Sequence, residues 1–452
     1  MKSFKSSKYN FFFKTEEGVK LAFNGISGGF ALIKKENEKI ISKFIENPNS
    51  KIKNSREEKI FTQLLHGRFI VDSSIDELSL LKMRFWNARF NQRNLGITLA
   101  PTLNCNFKCV YCYEREKNAN KPIRMNDKKI EVLEKFITNQ IKNGVKNINV
   151  GWYGGEPLLE IGMIEKISKK IIDICNKNQI PYNANMITNG YLLTEKTFKP
   201  ILHSGINFIQ ITLDGPPDIH NHFRPLRDGS PTFSIILENI KRFVDFTEGK
   251  VKVAIRVNVA QENYNAPFEL LKILEEEGLK GKVAIYPGQI VSDNSQIVCL
   301  LDNSFSDIET NFIEALLEKG WSFELPPLPR SVYCSAYLKN SYTVDPDLNL
   351  YKCWEAIGID KLKVGYIDND GRIRLNEENL HWLSYDPFEF EECRKCKFLP
   401  LCMGGCVSKI MEKGPDYAKI EHGECPTLRN NLLKKLISYY KFKVERTKFE
   451  GK

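Results

Sequence analysis

Three thiols stand within one short run, Cys105-Asn106-Phe107-Lys108-Cys109-Val110-Tyr111-Cys112, a C-x3-C-x2-C spacing followed at once by Tyr113. Thiols this close hold a zinc ion, close a disulfide with one sulfur left over, or ligate an iron–sulfur cluster. A structural zinc site needs four ligands, yet the next Cys is Cys175 and the nearest downstream His is His203. A four-iron cluster takes one thiolate per iron, so three cysteines leave one iron for another ligand, and Tyr111 and Tyr113 would shield such a site from water. A second group lies near the carboxyl end. Cys334 and Cys353 bracket Val344 to Tyr351, a hairpin pattern with an Asp345-Pro346-Asp347 turn. Cys393-x2-Cys396-x5-Cys402-x3-Cys406 and then Cys425 follow, with Gly404-Gly405 allowing the backbone to wrap a metal site. Cys175 and Cys299 lie in apolar runs and read as core.

The elements that must position these residues follow from the apolar periodicity. Short strands with glycine turns occupy residues 8–33, followed by helical patterns over Glu36–Glu46 and Glu57–Leu65. Gly67 is expected to end the second helix ahead of a strand through Phe69, Ile70 and Val71. Asp76–Gln92 reads as a helical linker. From Leu95 strands and helices alternate. Strands are expected at Ile97–Ala100, Asn147–Tyr153, Ala184–Thr188, Phe208–Leu213, Val251–Val259 and Val283–Tyr286, each but the last followed by a helix. Alternation of this kind implies a parallel sheet with right-handed crossovers. Six units suit a partial (β/α)6 barrel, whose functional residues stand at the carboxyl ends of the strands. Those ends carry Gly154-Gly155-Glu156-Pro157, Thr188-Asn189-Gly190 and Thr212-Leu213-Asp214-Gly215-Pro216, then His220, Arg224 and Asp228-Gly229, with Arg256 and Asn258 on the fifth strand. The glycines permit close backbone approach to a ligand, and Glu156 offers a carboxylate for an ammonium group. Leu428–Tyr440 reads as a packing helix.

At 452 residues with 42% apolar and 27% charged residues, the chain has the balance of a globular protein of two or three domains. It has no run long and apolar enough for a membrane helix. Met1-Lys2-Ser3-Phe4-Lys5 has no apolar stretch behind it, which predicts no signal peptide and a cytoplasmic protein whose cysteines are metal ligands rather than disulfides. A net charge of +10 favours an acidic partner.

The cysteine run, Gly154–Pro157 and the segment Asp214-Gly215-Pro216…His220…Arg224…Asp228-Gly229 together resemble the radical S-adenosylmethionine (SAM) enzymes. The C-terminal cysteines are similar to the SPASM extension of the members that modify peptides and proteins. The resemblance implies a [4Fe–4S] cluster on Cys105, Cys109 and Cys112 whose free iron chelates SAM. Gly154, Gly155, Glu156 and Pro157 would bind its amino group, while Thr212, Arg224 or Arg256 would contact its carboxylate or ribose. It also implies two auxiliary [4Fe–4S] clusters, one on Cys393, Cys396, Cys402 and Cys425 and one on Cys334, Cys353 and Cys406. The fourth site of the latter is either open to a substrate thiolate, the preferred reading, or filled by Cys299. The family has a glycine where this chain has Leu348, which predicts a different hairpin turn.

The expected organisation is a small α+β N-terminal domain over 1–92, similar to winged-helix leader-peptide readers. The barrel would span 93–325 and the cysteine-rich Fe–S extension 326–452. The expected activity is hydrogen abstraction from a ribosomally made precursor peptide by a 5′-deoxyadenosyl radical, leading to an oxidative cross-link, foremost a thioether. A reducing partner such as ferredoxin or flavodoxin would supply the electron. No catalytic acid or base is assigned. The alternative within the class is formylglycine formation on sulfatases, where an aspartate serving as base follows the equivalent of Cys353; here Trp354 and then Glu355 follow it. A zinc-rich nucleic-acid-binding module is the distant alternative, and it leaves Gly154–Pro157 unexplained.

Overall fold

The computed structural model describes residues 2–113, 124–290, 297–300, 302–322, 328–413 and 426–450. Strand β1 (Asn94–Leu99) shows the alternation that a half-buried strand needs, with Leu95, Ile97 and Leu99 facing the core. Helix α1 (Asp127–Lys142) starts where the Asn126 side chain accepts the Lys129 N–H at 3.1 Å, and it buries Ile130, Leu133, Phe136 and Ile137 on one face. The pattern repeats through β2 (Asn147–Trp152), α2 (Ile161–Lys177), β3 (Tyr182–Thr188), α3 (Glu195–His203), β4 (Ile206–Thr212), α4 (Phe233–Thr247), β5 (Lys252–Val259), α5 (Ala266–Glu276) and β6 (Val283–Gln289). A short helix, Pro217–Phe223, precedes α4. All neighbouring pairs from β1 to β6 are parallel, so the expected six-stranded partial barrel is present.

The sheet does not stop at β1. A strand from the C-terminal region, β7 (Ser341–Val344), pairs in parallel with β1, in register from Ser341 opposite Gly96 to Val344 opposite Leu99. It then turns into the antiparallel strands β8 (Asn349–Tyr351), β9 (Gly365–Ile367) and β10 (Ile373–Leu375). Among the described residues this makes one ten-stranded sheet. The β7–β8 turn corrects the expectation at Leu348. The turn keeps the glycine-type conformation, with Leu348 itself at φ 66° and its side chain buried. Burial of the leucine offsets the cost of a left-handed backbone, about 1–2 kcal/mol for a residue with a Cβ.

The N-terminal residues form a three-stranded antiparallel sheet, Asn10–Lys14, Lys20–Asn24 and Phe30–Ile33. A separate pairing joins Phe4–Ser6 to Ile70–Asp72. One face of the three-stranded sheet rests on Phe44, Ile60 and Phe61 of helices Glu38–Glu46 and Ser55–His66. The other face, with Phe11 and Phe23, rests on Leu401, Leu432 and Leu436. Gly67 does stand at the helix end, but the left-handed turn falls one residue later, on Arg68 at φ 57°. Two further helices, α6 (Asp302–Glu318) and α7 (Pro426–Glu450), pack together through Asn431 to Glu309 at 2.6 Å and Lys434 to Asp307 at 2.6 Å. No described helix is long and apolar enough to cross a membrane.

Candidate functional site

The cysteine loop leaves the carboxyl end of β1 and is clamped from two sides. On one side the Gly155 N–H donates to Thr102 O at 3.3 Å and the Glu156 N–H to Asn104 O at 2.9 Å. A Cβ on Gly155 would lie 2.3 Å from Asn104 O, and Gly154 has φ +110°. Both glycines are therefore required by the backbone of the cysteine loop itself, a packing role that their reading as a ligand approach did not include. On the other side residues 223–227 run beside the loop. Lys108 N–H donates to Pro225 O at 2.9 Å, Val110 N–H to Phe223 O at 3.0 Å, and Arg227 Nε to Cys105 O at 2.6 Å.

The Glu156 carboxylate is completely buried. It accepts from Leu158 N–H at 2.9 Å, Thr188 Oγ1 at 2.6 Å and Asn189 N–H at 2.7 Å. Burial pushes this carboxyl up, and those three donors pull it back. Its oxygens thus join β2 to the end of β3, which leaves little of the carboxylate for an ammonium group. The neighbouring Asn189 amide donates to Asn106 Oδ1 at 2.8 Å, beside Cys105. Thr188-Asn189-Gly190, noted only as a strand end in the sequence, is thereby a brace for the loop.

Tyr111 is the node of the opposite side. Its hydroxyl donates to Asp214 Oδ2 and accepts from Arg224 Nη1 at 2.7 Å and Asn258 Nδ2 at 2.9 Å. The other Asp214 oxygen accepts the Asn258 N–H at 2.9 Å, and Arg256 Nε donates to Asn258 Oδ1 at 2.7 Å. Thr212 lies in register with Arg256, so these two candidate cofactor contacts share one level of the sheet. His220 is a structural pin: its Nδ1 accepts the Asp214 N–H at 3.1 Å, so the other ring nitrogen, 3.1 Å from Thr232 Oγ1, carries the proton. Burial, reinforced by Arg224, holds that imidazole well below its ordinary range and therefore neutral. Arg224 is itself buried, and among the described residues its Nε has no hydrogen-bond partner.

Burial pushes the Cys105 thiol up, as do Glu156, Cys109 and Cys112, and it pushes Cys109 up to about 11 against the pull of Arg224. Three neighbouring, buried or half-buried thiols with one cation nearby are poorly served as thiolates. A metal centre would supply the missing positive charge and hold them as thiolates. Among the described residues no three His, Cys, Asp or Glu side chains are arranged to hold a single metal ion. Unpaired Arg224 Nε adds a buried donor suited to an anionic group. The donor set fits an iron–sulfur cluster with a carboxylate-bearing ligand.

The second cysteine group is partly assembled. Cys334 and Cys353 each lie close enough to Cys406 to be raised by it; burial takes Cys334 up to about 11 and Cys353, with Glu355 beside it, up to about 12. Cys402 is buried, and it, Cys334 and Cys406 each lie close enough to Tyr333 to raise its hydroxyl. Cys396 accepts from Arg429 at 3.5 Å, and Cys393 packs against the main core. Cys425 lies outside the described residues. Cys299 packs against the cluster of Phe223, Ala260, Ile290 and Ile297. Cys175 is core, as expected.

Residues 99–274 match the model of the Radical SAM superfamily. Over those residues the chain carries a radical SAM domain. The superfamily match sets aside the zinc-module alternative. It is 25% identical over 338 residues to the cysteine-type anaerobic sulfatase-maturating enzyme of Clostridium perfringens, covering 69% of this chain and 88% of that one. It is 24% identical over 258 residues to the radical SAM cyclopropyl synthase TigE of Paramaledivibacter caminithermalis, covering 52% of this chain and 53% of that one. Among solved structures, native anSMEcpe with bound AdoMet superposes with a TM-score of 0.55 at 20% identity, covering 77% of this chain and 97% of that one. That likeness concerns the fold. In this chain the cysteine loop, the glycine segment and the bracing segment gather at the carboxyl ends of the parallel strands.

Proposed function

We propose that this radical SAM enzyme matures a ribosomally made peptide by an oxidative cross-link, foremost a thioether between a cysteine sulfur and a carbon. Cys105, Cys109 and Cys112 would hold the SAM-binding [4Fe–4S] cluster. The Gly154–Pro157 backbone would face the methionine amino group, with Arg224, Arg256 and Thr212 serving the carboxylate and ribose. When bound, that cluster and SAM supply a 5′-deoxyadenosyl radical able to take hydrogen from an unactivated carbon. The chain's own part is to hold the loop rigid through Tyr111, Glu156 and Arg227 and to keep water from it with Phe107, Tyr111 and Phe223. Forming a thioether removes one hydrogen atom from carbon, one proton from the thiol and one electron. The C-terminal cysteines would hold auxiliary clusters able to accept that electron.

The observation that carries this reading is the gathering of Cys334 and Cys353 about Cys406, three thiols from separate segments. The N-terminal sheet supports a leader-bearing substrate. A cavity of about 340 Å³ opens between Phe12, Phe13, Lys14 and Ile33 of its strands and Ile41 and Ile45 of the adjoining helix. Residues 1–92 hold 17 Lys and Arg against 10 Asp and Glu, the larger part of the chain's +10. The cleft lining itself balances Lys14 and Lys20 against Glu38 and Glu46, so the basic surroundings would steer an acidic leader whose apolar anchors enter the cleft.

Formylglycine formation is the second reading, favoured by the likeness to the sulfatase-maturating enzyme. Trp354 after Cys353 counts against it, because an indole takes up no proton. Anaerobic incubation with SAM, a reductant and the candidate precursor peptide, read by tandem mass spectrometry, separates the two. A thioether removes two hydrogens and leaves one thiol no longer alkylatable. Formylglycine instead replaces the sulfur with an aldehyde oxygen, and that product would overturn the proposal.

A further inference from the structure

Between the two cysteine groups stands a feature that neither cofactor assignment uses. Tyr113 directly follows Cys112, Tyr153 directly precedes Gly154, and Trp354 directly follows Cys353. The Tyr113 and Tyr153 hydroxyls are hydrogen-bonded to each other. The Tyr153 ring stacks on Trp354 with centroids 5.7 Å apart and planes tilted by 30°. Three aromatic side chains from separate segments thus form one continuous wall from the first cysteine loop to the second. Trp354 is 41% exposed, among the larger open apolar surfaces on this part of the molecule.

We propose that this wall is a substrate subsite, with Trp354 as its contact surface, taking an apolar side chain of the peptide next to the residue that reacts. The subsite rests on the peptide-maturase reading above. Its position is the first argument. A substrate that gives hydrogen at the first site and sulfur at the second must cross the span between them, and the wall lines that span. Its rigidity is the second. The Tyr153 ring cannot swing away while its hydroxyl is held by Tyr113, and the indole is backed by that ring, so the surface is ordered before the substrate arrives. Rigid aromatic faces give large contact area at small entropic cost, and for that reason Trp and Tyr dominate the energetics of recognition surfaces. Its chemistry is the third, because an indole face accepts an apolar side chain and offers no partner to a carboxylate.

The test uses the reconstituted enzyme and a pool of variants of the candidate precursor peptide, leader retained, in which the residue next to the reacting cysteine is Gly, Ser, Leu, Phe, Lys or Glu. Products are counted by mass spectrometry, and the readout is the ratio of Phe- and Leu-bearing to Ser-bearing product within one reaction. Wild type is expected to favour the apolar members by about tenfold. Trp354→Ser is expected to bring the ratio close to one, and Trp354→Phe to restore most of it. A general loss of stability lowers every product together and leaves the ratio alone. An unchanged ratio in Trp354→Ser overturns the subsite, and so does a wild-type preference for Lys, which would mark a cation-binding face. A second readout needs no turnover. The emission of Trp354, isolated as the difference between wild type and Trp354→Phe, is expected to shift to the blue when the Phe-bearing peptide is added, and a constant spectrum under saturating peptide also overturns the proposal. Deoxyadenosine formation with every pool member unmodified would remove the peptide-maturase reading itself, and this subsite with it.

Discussion

Tyr111 and Asp214 join the cysteine loop to the end of β4 through a hydrogen bond from phenol to carboxylate, in a place closed to water. The same hydroxyl receives Arg224 and Asn258, so one oxygen organises groups from three segments. Tyr111→Phe removes that oxygen and leaves a buried carboxylate, guanidinium and amide each short of a partner. A loss of about 2–4 kcal/mol in stability is expected, together with fewer irons retained per chain. Urea unfolding and iron analysis after anaerobic reconstitution check both, and a variant equal to wild type in each would contradict the bracing role.

His220 gives the site an acid limit. Burial holds its folded-state pKa well below the unfolded value, so below about pH 6.5 the unfolded chain binds the proton that the folded chain refuses. Stability is therefore fully present above that pH and is lost as pH falls, by up to about 1.4 kcal/mol per unit from this group. Unfolding free energies of wild type and His220→Gln, followed from about pH 7.5 to about pH 5.5, are expected to diverge in slope. Parallel slopes would mean that the imidazole titrates normally.

Leu348 offers a sign test. At φ 66° alanine keeps the left-handed strain while glycine does not. Both substitutions lose the buried side chain, yet Leu348→Ala is expected to be the less stable by about 1 kcal/mol, the reverse of the usual order. Thermal denaturation of the pair decides it.

The N-terminal cleft is best tested by charge rather than by truncation, since removing the sheet would uncover Leu401, Leu432 and Leu436. Lys14→Glu is expected to weaken binding of an acidic, apolar-anchored peptide about tenfold at low salt, and less at high salt. Fluorescence anisotropy of a labelled peptide reports it. Equal affinity would return the cleft to a packing role.

For the C-terminal cysteines, Cys402→Ala is expected to lower total iron while the Cys105, Cys109 and Cys112 cluster continues to bind SAM. Iron content unchanged from wild type would refute the ligand assignment.

Much of the fold was legible in the sequence because each barrel strand carries its own apolar alternation and each helix its own caps, as at Asn126. The cysteine spacing was legible for the same local reason. The role of Glu156 was not, because its partners, Thr188 and Asn189, lie a full βα unit away. Gly67 is required for space rather than for a left-handed backbone, because the Phe69 ring lies 2.6 Å from where its Cβ would stand, and the positive φ falls on Arg68. Tyr153 and Trp354 each looked ordinary alone; a signal was available in their adjacency to Gly154 and Cys353, but the ring contact is purely tertiary. Helix α6 went unread because Asp302–Glu318 mixes its apolar and charged residues too evenly for a clear stripe.

The pairing of β7 with β1 has a consequence for what the enzyme can make. Cys353 follows strands that are hydrogen-bonded, through β7, to the strand that delivers Cys105. The two sites are therefore mounted on a single ruler rather than on bodies free to slide. An instrument of fixed gauge cuts every workpiece to the same measure. Substrates of different sequence would then receive linkages of one span, so the number of residues enclosed by the new bond would be a property of the enzyme and not of the peptide.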